Sequence, residues 1–325
     1  MREPINRVAV SPFLSPAHYR IVKASLIALT RRFYRPDQVF PVTVRIIPRL
    51  EIKGPNLVKG IRFEGLRVLG KPEVFAKHYY AAGADELIYI DAVASLYGRN
   101  SLLDIVERTA AETFVPLTVG GGLRSLDDIR EVLRAGADKV AINTAAVQNP
   151  QLIREAARKF GSSTIVANIE FIHHGDGKYE AYTDFGREST GIDAYDWALK
   201  AAEQGAGEIL LVSIDRDGRG VGYDLDLTRR IAEAVPIPII AGGGAGTPKQ
   251  VEEVIRQGGA DAVSLASMLH YNMIKTLPQD DEAFEGEGNT EFLRKGGGAI
   301  KLADCGIGDL KAFLNAENIG VREAA

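Results

Sequence analysis

The chain has 325 residues, of which 46% are hydrophobic and 25% are charged, and its formal net charge is −4. This composition is typical of a globular enzyme and argues against a basic nucleic-acid-binding surface; no apolar run reaches the roughly 20 residues that cross a bilayer, so no membrane association is expected. The single cysteine, Cys305, excludes an internal disulfide and suits a reducing cytoplasm, where we expect the protein to function.

Residues 1–42 are predicted to form a basic, poorly ordered N-terminal extension. They contain many Lys and Arg residues, but their only acids are Glu3 and Asp37. Their apolar stretch is too short for a convincing signal peptide. The alternatives are a transit-like arm, a partner-binding helix, or a start assigned too far upstream, because Val42 or Val44 could mark another initiation codon.

Downstream of the extension, short runs rich in β-branched residues alternate with amphipathic segments. Ser125 and Asp128 form a predicted capping box before a helix that Gly136 ends, and Thr247 opens another helix. Buried parallel strands separated by helices have this pattern. The predicted strands, eight in number, are 44–47, 86–91, 117–119, 139–142, 164–169, 208–214, 237–241 and 262–265.

The two halves of this region nearly repeat each other. Matching residues lie 124, 122 and 123 positions apart, respectively: Asp91 with Asp215, Gly120 with Gly242, and Asp138 with Asp261. This period is longer than the roughly 20 to 50 residues of a solenoid repeat. Eight βα units with an internal duplication predict an α/β fold over residues 43–325, namely a (β/α)8 TIM barrel made of two half-barrels.

Glycine-rich segments follow strands in both halves, at the barrel end where active sites are built. Glycines let backbone N–H groups approach an anion, and short polar side chains add donors. A lone glycine run is explained as well by a tight turn, but two matched cradles predict a small substrate with a phosphate at each end. The predicted phosphate- and substrate-binding residues are Gly122, Asn143 and Thr144 in the first half and Asp217, Gly218, Gly243, Gly244, Gly246 and Ser267 in the second.

Glu51 and Glu170 are the candidate acid–base residues. They are predicted to lie just beyond the first and fifth strands, at equivalent positions of the two halves. A partly buried carboxylate there could transfer protons, whereas the alternative is an ion pair with a neighbour such as Arg49 or Lys53. The histidines show no metal-binding spacing, and neither a metal nor a cofactor is expected. Secondary acidic candidates are Asp91, Asp215 and Asp217.

An acidic, glycine-rich stretch at about residues 276–299 is predicted to be an exposed insertion. It could cover the top face near the second cradle or have no role. A last helix is predicted over residues 308–317.

Several short motifs between residues 44 and 271 match one known family. They include Arg45-Ile-Ile-Pro48, Val58-Lys59-Gly60, Val119-Gly-Gly-Gly122, Ile142-Asn-Thr-Ala-Ala146, Ser213-Ile-Asp-Arg-Asp-Gly218 and Gly243-Gly-Ala-Gly246. Through them the chain resembles the cyclase subunit of imidazole glycerol phosphate synthase.

The resemblance implies an ammonia-using lyase or cyclase of histidine biosynthesis. A glutaminase (amidotransferase) subunit would dock at the bottom of the barrel, and ammonia would pass through the barrel to the top face. There it would react with a two-phosphate ribulosyl-formimino aminoimidazole carboxamide ribonucleotide to give imidazole glycerol phosphate.

The resemblance also assigns residues to an ammonia gate and to a lid. The gate of one Arg, one Lys and two Glu would be Arg45, Lys139, Glu86 and Glu208. A salt-bridge network that merely ties the strand bases together predicts the same four residues. Lys59, expected in the loop after the first strand, matches the family's substrate-closing lysine.

The chain departs from the family at both catalytic positions. The family has aspartates where this chain has Glu51 and Glu170, and the added methylene moves each carboxylate by about 1 Å, which can cost on the order of a hundredfold in rate. Two alternatives to the histidine-pathway reaction therefore remain: a paralogous barrel that amidates a nucleotide sugar in surface-glycan synthesis, and a non-catalytic barrel that activates a glutaminase.

Overall fold

The computed structural model describes residues 43–94, 102–277 and 302–323. The predicted extension at 1–42 and all but the first two residues of the predicted insertion at 276–299 lie outside the described residues.

Eight parallel strands close into a barrel, which confirms the predicted fold class. Each strand pairs with the next in chain order, and the eighth pairs with the first, so that Arg45 is opposite Ala262. The barrel strands are β1 Arg45–Lys53, β4 Leu87–Asp91, β5 Leu117–Gly120, β6 Lys139–Ile142, β7 Ile165–His173, β10 Glu208–Ser213, β11 Ile239–Gly242 and β12 Ala262–Leu265.

Helices connect the strands and cover the outside of the barrel, as expected of parallel βα units. The capping box predicted at Ser125 is present, and Thr247 opens its helix as predicted, where it also forms a capping box with Gln250. The helices are α1 Pro72–Ala81, α2 Leu103–Glu112, α3 Leu126–Arg134, α4 Thr144–Gln148, α5 Gln151–Phe160, α6 Ala194–Glu203, α7 Leu225–Ala234, α8 Pro248–Arg256, α9 Ser267–Thr276 and α10 Ile307–Ala316.

Two antiparallel hairpins rise from the top of the barrel at equivalent positions of the two halves. Strands β2 Asn56–Ile61 and β3 Glu64–Gly70 extend β1, and strands β8 Tyr179–Thr183 and β9 Glu188–Asp193 extend β7. None of these four strands is among the eight predicted from the sequence. We call them the first and second hairpin.

The hairpins change the placement of three predicted residues. Glu51 and Glu170 do not follow their strands but lie within β1 and β7, because each strand continues past the barrel to pair with its hairpin. Lys59 lies on β2 and not in a loop.

Three aspartates each hold the start of one barrel strand by a hydrogen bond. These aspartates lie just before β4, β6 and β12. Each accepts a hydrogen bond from a backbone N–H near the start of the neighbouring barrel strand, which is β1, β5 or β11, respectively. The bonds run from Ile46 to Asp85, from Leu117 to Asp138 and from Ile239 to Asp261, at 2.7, 2.9 and 2.9 Å. Satisfying these N–H groups fixes the register at the bottom of the barrel.

The barrel interior is filled by apolar side chains, separate from the larger core between strands and helices. Phe63 from the first hairpin and Phe185 from the second complete the interior at its top, with their rings stacked 4.4 Å apart. The strand residues below them include Ile47, Ile88, Ile90, Ala141, Val166, Leu210, Val212 and Ile240.

We predict that Ser125→Ala lowers the free energy of unfolding by about 1 kcal/mol, because the Ser125 hydroxyl accepts the Asp128 N–H at the start of α3. Chemical denaturation measures the change. The exposed Ser163, in the 3-10 turn Ser162–Thr164, provides the control Ser163→Ala. Equal stability of the Ser125→Ala variant and the native chain would show that the cap contributes nothing.

Candidate active site

A large cavity at the top of the barrel belongs to the first half. Its volume is about 220 Å³, and it contains the first predicted cradle: Gly122, Asn143 and Thr144 all line it. The Thr144 hydroxyl accepts the Asp184 backbone N–H at 3.0 Å, and the Asn143 amide donates to the Tyr182 carbonyl at 3.1 Å. The second hairpin therefore forms one wall of this cavity.

Glu170 faces the same cavity and has the environment of a proton-transfer group. The Asn168 amide donates to Glu170 Oε1 at 3.2 Å, whereas Glu170 Oε2 is buried without a hydrogen-bond partner among the described residues. Burial raises the pKa of Glu170 to about 7, although the Arg49 charge and the Asn168 bond act in the opposite direction. At neutral pH this carboxyl group can both give and accept a proton.

A second, much smaller cavity of about 20 Å³ lies in the second half. It contains most of the second predicted cradle, namely Asp217, Gly218, Gly243, Gly244 and Ser267, and it is also lined by Arg49. Gly246 does not line it. The Gly246 N–H donates to Gln250 Oε1 at 2.8 Å, so this glycine supports the start of α8 instead.

Gly121 and Gly243 show why the cradles need glycine. Both residues have positive φ values, 102° and 81°, which L side chains rarely adopt. A Cβ atom would lie 2.6 Å from the Asp91 carbonyl oxygen at Gly121 and 2.3 Å from the Ser213 carbonyl oxygen at Gly243. The same backbone packing therefore recurs in both halves.

Glu51 does not face either cavity, because it belongs to a buried cluster of four charges. Its carboxylate lies 2.7 Å from the Arg49 guanidinium and 3.0 Å from the Lys59 ammonium group, and Lys59 also lies 2.6 Å from Asp217. Lys53, the other partner considered from the sequence, is exposed. We call Arg49, Glu51, Lys59 and Asp217 the top cluster; its formal charges cancel.

A chain of hydrogen bonds supports the top cluster from behind. His270 Nε2 lies 3.1 Å from the Arg49 carbonyl oxygen, and His270 Nδ1 lies 2.6 Å from the Tyr79 hydroxyl. Burial lowers the pKa of His270 to about 3, so the ring is neutral. Since a carbonyl can only accept, Nε2 carries the proton and the Tyr79 hydroxyl donates to Nδ1.

The four predicted gate residues form a closed ring at the bottom of the barrel. The Arg45 guanidinium contacts Glu86 at 2.7 Å and Glu208 at 2.8 Å, and the Lys139 ammonium group contacts the same two carboxylates at 3.1 and 3.0 Å. We call these residues the bottom ring. Every charge in it has two partners of opposite sign.

Three residues of the bottom ring lie at the starts of alternate barrel strands: Glu86 just before β4, Lys139 in β6 and Glu208 in β10. The fourth residue, Arg45, begins β1. These three alternate-strand residues form one layer of side chains across the barrel, and the residue at the matching position of the remaining alternate strand, β12, is Ala262. Alternate strands of a TIM barrel supply such layers. Ala262 carries no charge, and Arg45, directly opposite it on β1, completes the ring through its contacts with Glu86 and Glu208.

Several residues of the site were not assigned a role from the sequence. Arg49 was considered only as an ion-pair partner, and Phe63, Asp184 and Phe185 were not considered. A weak signal for the two phenylalanines exists, since each is followed within two residues by a glycine, Gly65 or Gly186, and glycine is common in and beside turns.

Within the described ranges, no cluster of three or more His, Cys, Asp or Glu side chains is arranged to hold a metal ion. In the same part of the chain, no helix has the length and apolar composition needed to cross a membrane.

Comparison with known proteins gives consistent matches. A family model described as histidine biosynthesis protein matches residues 45–275. Three similar proteins are each named imidazole glycerol phosphate synthase subunit HisF. The protein from Legionella pneumophila is 58% identical over 203 residues, which are 62% of this chain and 96% of that protein.

The other two relatives are more distant but align over a longer region. The protein from Alkaliphilus metalliredigens (strain QYMF) is 47% identical over 233 residues, 72% of this chain and 92% of its own length. The protein from Myxococcus xanthus (strain DK1622) is 49% identical over 229 residues, 70% of this chain and 90% of its own length.

The raised pKa of Glu170 predicts a specific pH dependence of stability. Between pH 4.5 and 7 the folded state holds a proton that the unfolded chain has released, so the free energy of unfolding falls as the pH rises through this range. Glu170→Gln removes this loss. Between pH 5 and pH 8, the free energy of unfolding of the variant should rise by about 2 to 3 kcal/mol relative to that of the native chain.

Chemical denaturation at the two pH values measures this difference. Glu188→Gln, at an exposed position of the second hairpin, is the control and should follow the native chain. A native-like pH dependence in Glu170→Gln would contradict a raised pKa at this residue.

Proposed function

The chain belongs to the histidine biosynthesis protein family, and we propose that it is the cyclase subunit of an imidazole glycerol phosphate synthase. It would use ammonia to convert the two-phosphate ribulosyl-formimino aminoimidazole carboxamide ribonucleotide to imidazole glycerol phosphate and aminoimidazole carboxamide ribonucleotide. The observation that carries this proposal is the buried Glu170 carboxyl group facing a glycine-lined cavity. The names of the three relatives support it, and they do not favour the surface-glycan or non-catalytic alternatives.

The two cradles support a substrate with two phosphates. Gly122, Asn143 and Thr144 would hold one phosphate, and Gly243, Gly244 and Ser267 would hold the other, with Asp217 and Gly218 beside them. The first cavity is the larger, so it would also contain the reacting part of the substrate. Gly246 would act only by supporting the second cradle.

Glu170 would be the general acid of the reaction. With a pKa of about 7, a large fraction of this group is protonated at neutral pH, which a general acid requires. Its unpartnered Oε2 is available to a substrate in the first cavity.

Glu51 would be the general base, as the second catalytic carboxylate. Its carboxyl oxygens contact the Arg49 guanidinium and the Lys59 ammonium group. Glu51 is fully buried under the first hairpin, so Lys59 must move before a substrate can reach Glu51. Through its contact with Glu51, Lys59 would then couple movement of the first hairpin to access of the substrate to Glu51.

We predict that Glu170→Gln lowers kcat by about 10²- to 10⁴-fold, the usual contribution of a general acid. The native enzyme should lose activity as the pH rises through about 7, because the acid form of Glu170 disappears. The assay follows turnover of the ribulosyl-formimino substrate at a fixed concentration of unprotonated ammonia.

The controls separate chemistry from folding. Glu188→Gln should keep native kcat, and Glu170→Asp should keep part of the activity. The histidine-pathway function is refuted if neither the native protein nor the double variant Glu51→Asp/Glu170→Asp turns over this substrate.

The bottom ring is proposed to be the entry for ammonia from a glutaminase subunit docked at the bottom of the barrel. Above the ring, the barrel interior is lined by apolar side chains such as Ile47, Val166 and Leu210. An apolar passage favours neutral ammonia over the ammonium ion, whose desolvation is costly. The ring's charges, each with two partners, could exchange partners to open.

We predict that Lys139→Met changes how well ammonia is delivered. With the glutaminase subunit of imidazole glycerol phosphate synthase present, the ratio of glutamine-dependent to ammonia-dependent turnover should fall several-fold, because two carboxylates then share one Arg. Glu155→Gln, an exposed change on α5, should leave the ratio unchanged. A native ratio in Lys139→Met would remove the bottom ring from the ammonia route.

A further inference from the structure

We propose that Arg49 is the anion-binding residue of the second cradle and makes this cradle selective for a terminal phosphate. Its guanidinium would donate two hydrogen bonds to the phosphate oxygens. The proposal rests on the proposed function for the source of the phosphate, namely one end of the substrate. The binding itself requires only an inorganic phosphate ion.

The donors of Arg49 are only partly used. The residue is 2% exposed, and its Nη1 atom contacts Glu51 at 2.7 Å. Its Nε and Nη2 atoms are buried and have no hydrogen-bond partner among the described residues. Buried N–H donors of a charged group are costly when they are unpaired, and an oxyanion would satisfy them.

Other unused donors surround the same cavity. The hydroxyl groups of Ser264 and Ser267 are buried, line this cavity and likewise lack a partner within the described residues. Helix α9 begins at Ser267, so its first backbone N–H groups face the same region. Gly243 and Gly244 complete the lining. A guanidinium, two hydroxyl groups and a helix start in one small space form an anion site.

The orientation of Arg49 is fixed before any ligand arrives. The Phe63 ring lies 5.2 Å below the guanidinium carbon, Glu51 holds one nitrogen, and His270 holds the main-chain carbonyl. Arg presents its donors in a rigid planar fork, so little further ordering is needed on binding.

Asp217 also lines the cavity and would repel an anion if it were unpaired. However, its carboxylate contacts the Lys59 ammonium group at 2.6 Å, and the whole top cluster is formally neutral. The nearest approach of Asp217 to Arg49 is 3.9 Å, so Asp217 does not occupy the Arg49 donors.

The size of the cavity sets the specificity. A water molecule needs roughly 10 to 15 Å³ of such space. A cavity of about 20 Å³ therefore admits terminal oxygen atoms of an oxyanion but not a sugar ring or a base. The bulkier end of the substrate would then occupy the first cavity, which has a volume of about 220 Å³. The arginine that lines this first cavity, Arg124, is exposed, unlike the buried Arg49 of the second.

Titration with inorganic phosphate, followed by backbone amide NMR, tests the proposal. The amide signals of Gly243 and Gly244 report on the second cradle, and those of Gly121 and Gly122 report on the first. Arg49→Lys keeps the charge beside Glu51 but loses the fork. It should raise the Kd reported by the second cradle by about tenfold or more and change that of the first by less than twofold.

Two further variants complete the experiment. Thr144→Val should give the reverse pattern, and Arg49→Gln/Glu51→Gln, which removes both charges of the pair, should weaken the second cradle even if Arg49→Lys does not fold. An unchanged Kd at Gly243 and Gly244 in the foldable Arg49 variants, or no phosphate response there in the native protein, would overturn the proposal. Phosphate binding through Arg49 without turnover would refute only the proposed function.

Discussion

The top cluster is the interaction on which the arrangement of the active site depends. Lys59 comes from the first hairpin, Arg49 and Glu51 from β1, and Asp217 from the loop after β10, so the ion pairs attach the hairpin to both halves of the barrel. Buried charges are tolerated only when they are paired, and here each cation has a carboxylate partner. Removing any one member would leave an uncompensated charge. The position of the hairpin and the enclosure of Glu51 follow from this requirement, and two members of the cluster, Arg49 and Asp217, also line the second cavity.

The duplicated halves of the barrel share a backbone plan but differ in their electrostatics. Gly121 and Gly243 pack in the same way, yet the first cavity faces a carboxyl group of raised pKa, whereas the second faces a guanidinium. Glu51 and Glu170 occupy equivalent positions. Glu51 forms ion pairs with two cations, whereas Glu170 accepts a hydrogen bond from the neutral Asn168 amide. Duplication therefore supplies equivalent positions, and the neighbouring side chains give each position its own role.

The sequence was sufficient to predict the barrel, the caps of α3 and α8 and the grouping of the bottom ring. These features depend on local patterns or on motifs shared with a family. It was not sufficient to predict that β1 and β7 continue past the barrel to pair with the hairpins, so Glu51 and Glu170 were placed beyond the strands in which they lie. The role of Arg49 was also missed. Its unused donors become visible only when β1, the loop after β11 and the start of α9 are brought together in space.

The stacked rings of Phe63 and Phe185 have a consequence for the symmetry of the molecule. The two residues are related by the internal repeat, and each lies in a hairpin turn at positive φ, 64° and 57°. Equivalent residues can touch each other only close to the axis that relates them. The stack therefore marks a pseudo-two-fold axis through the top of the barrel. It is the intramolecular counterpart of an isologous contact in a dimer, in which one surface patch recognises its own copy.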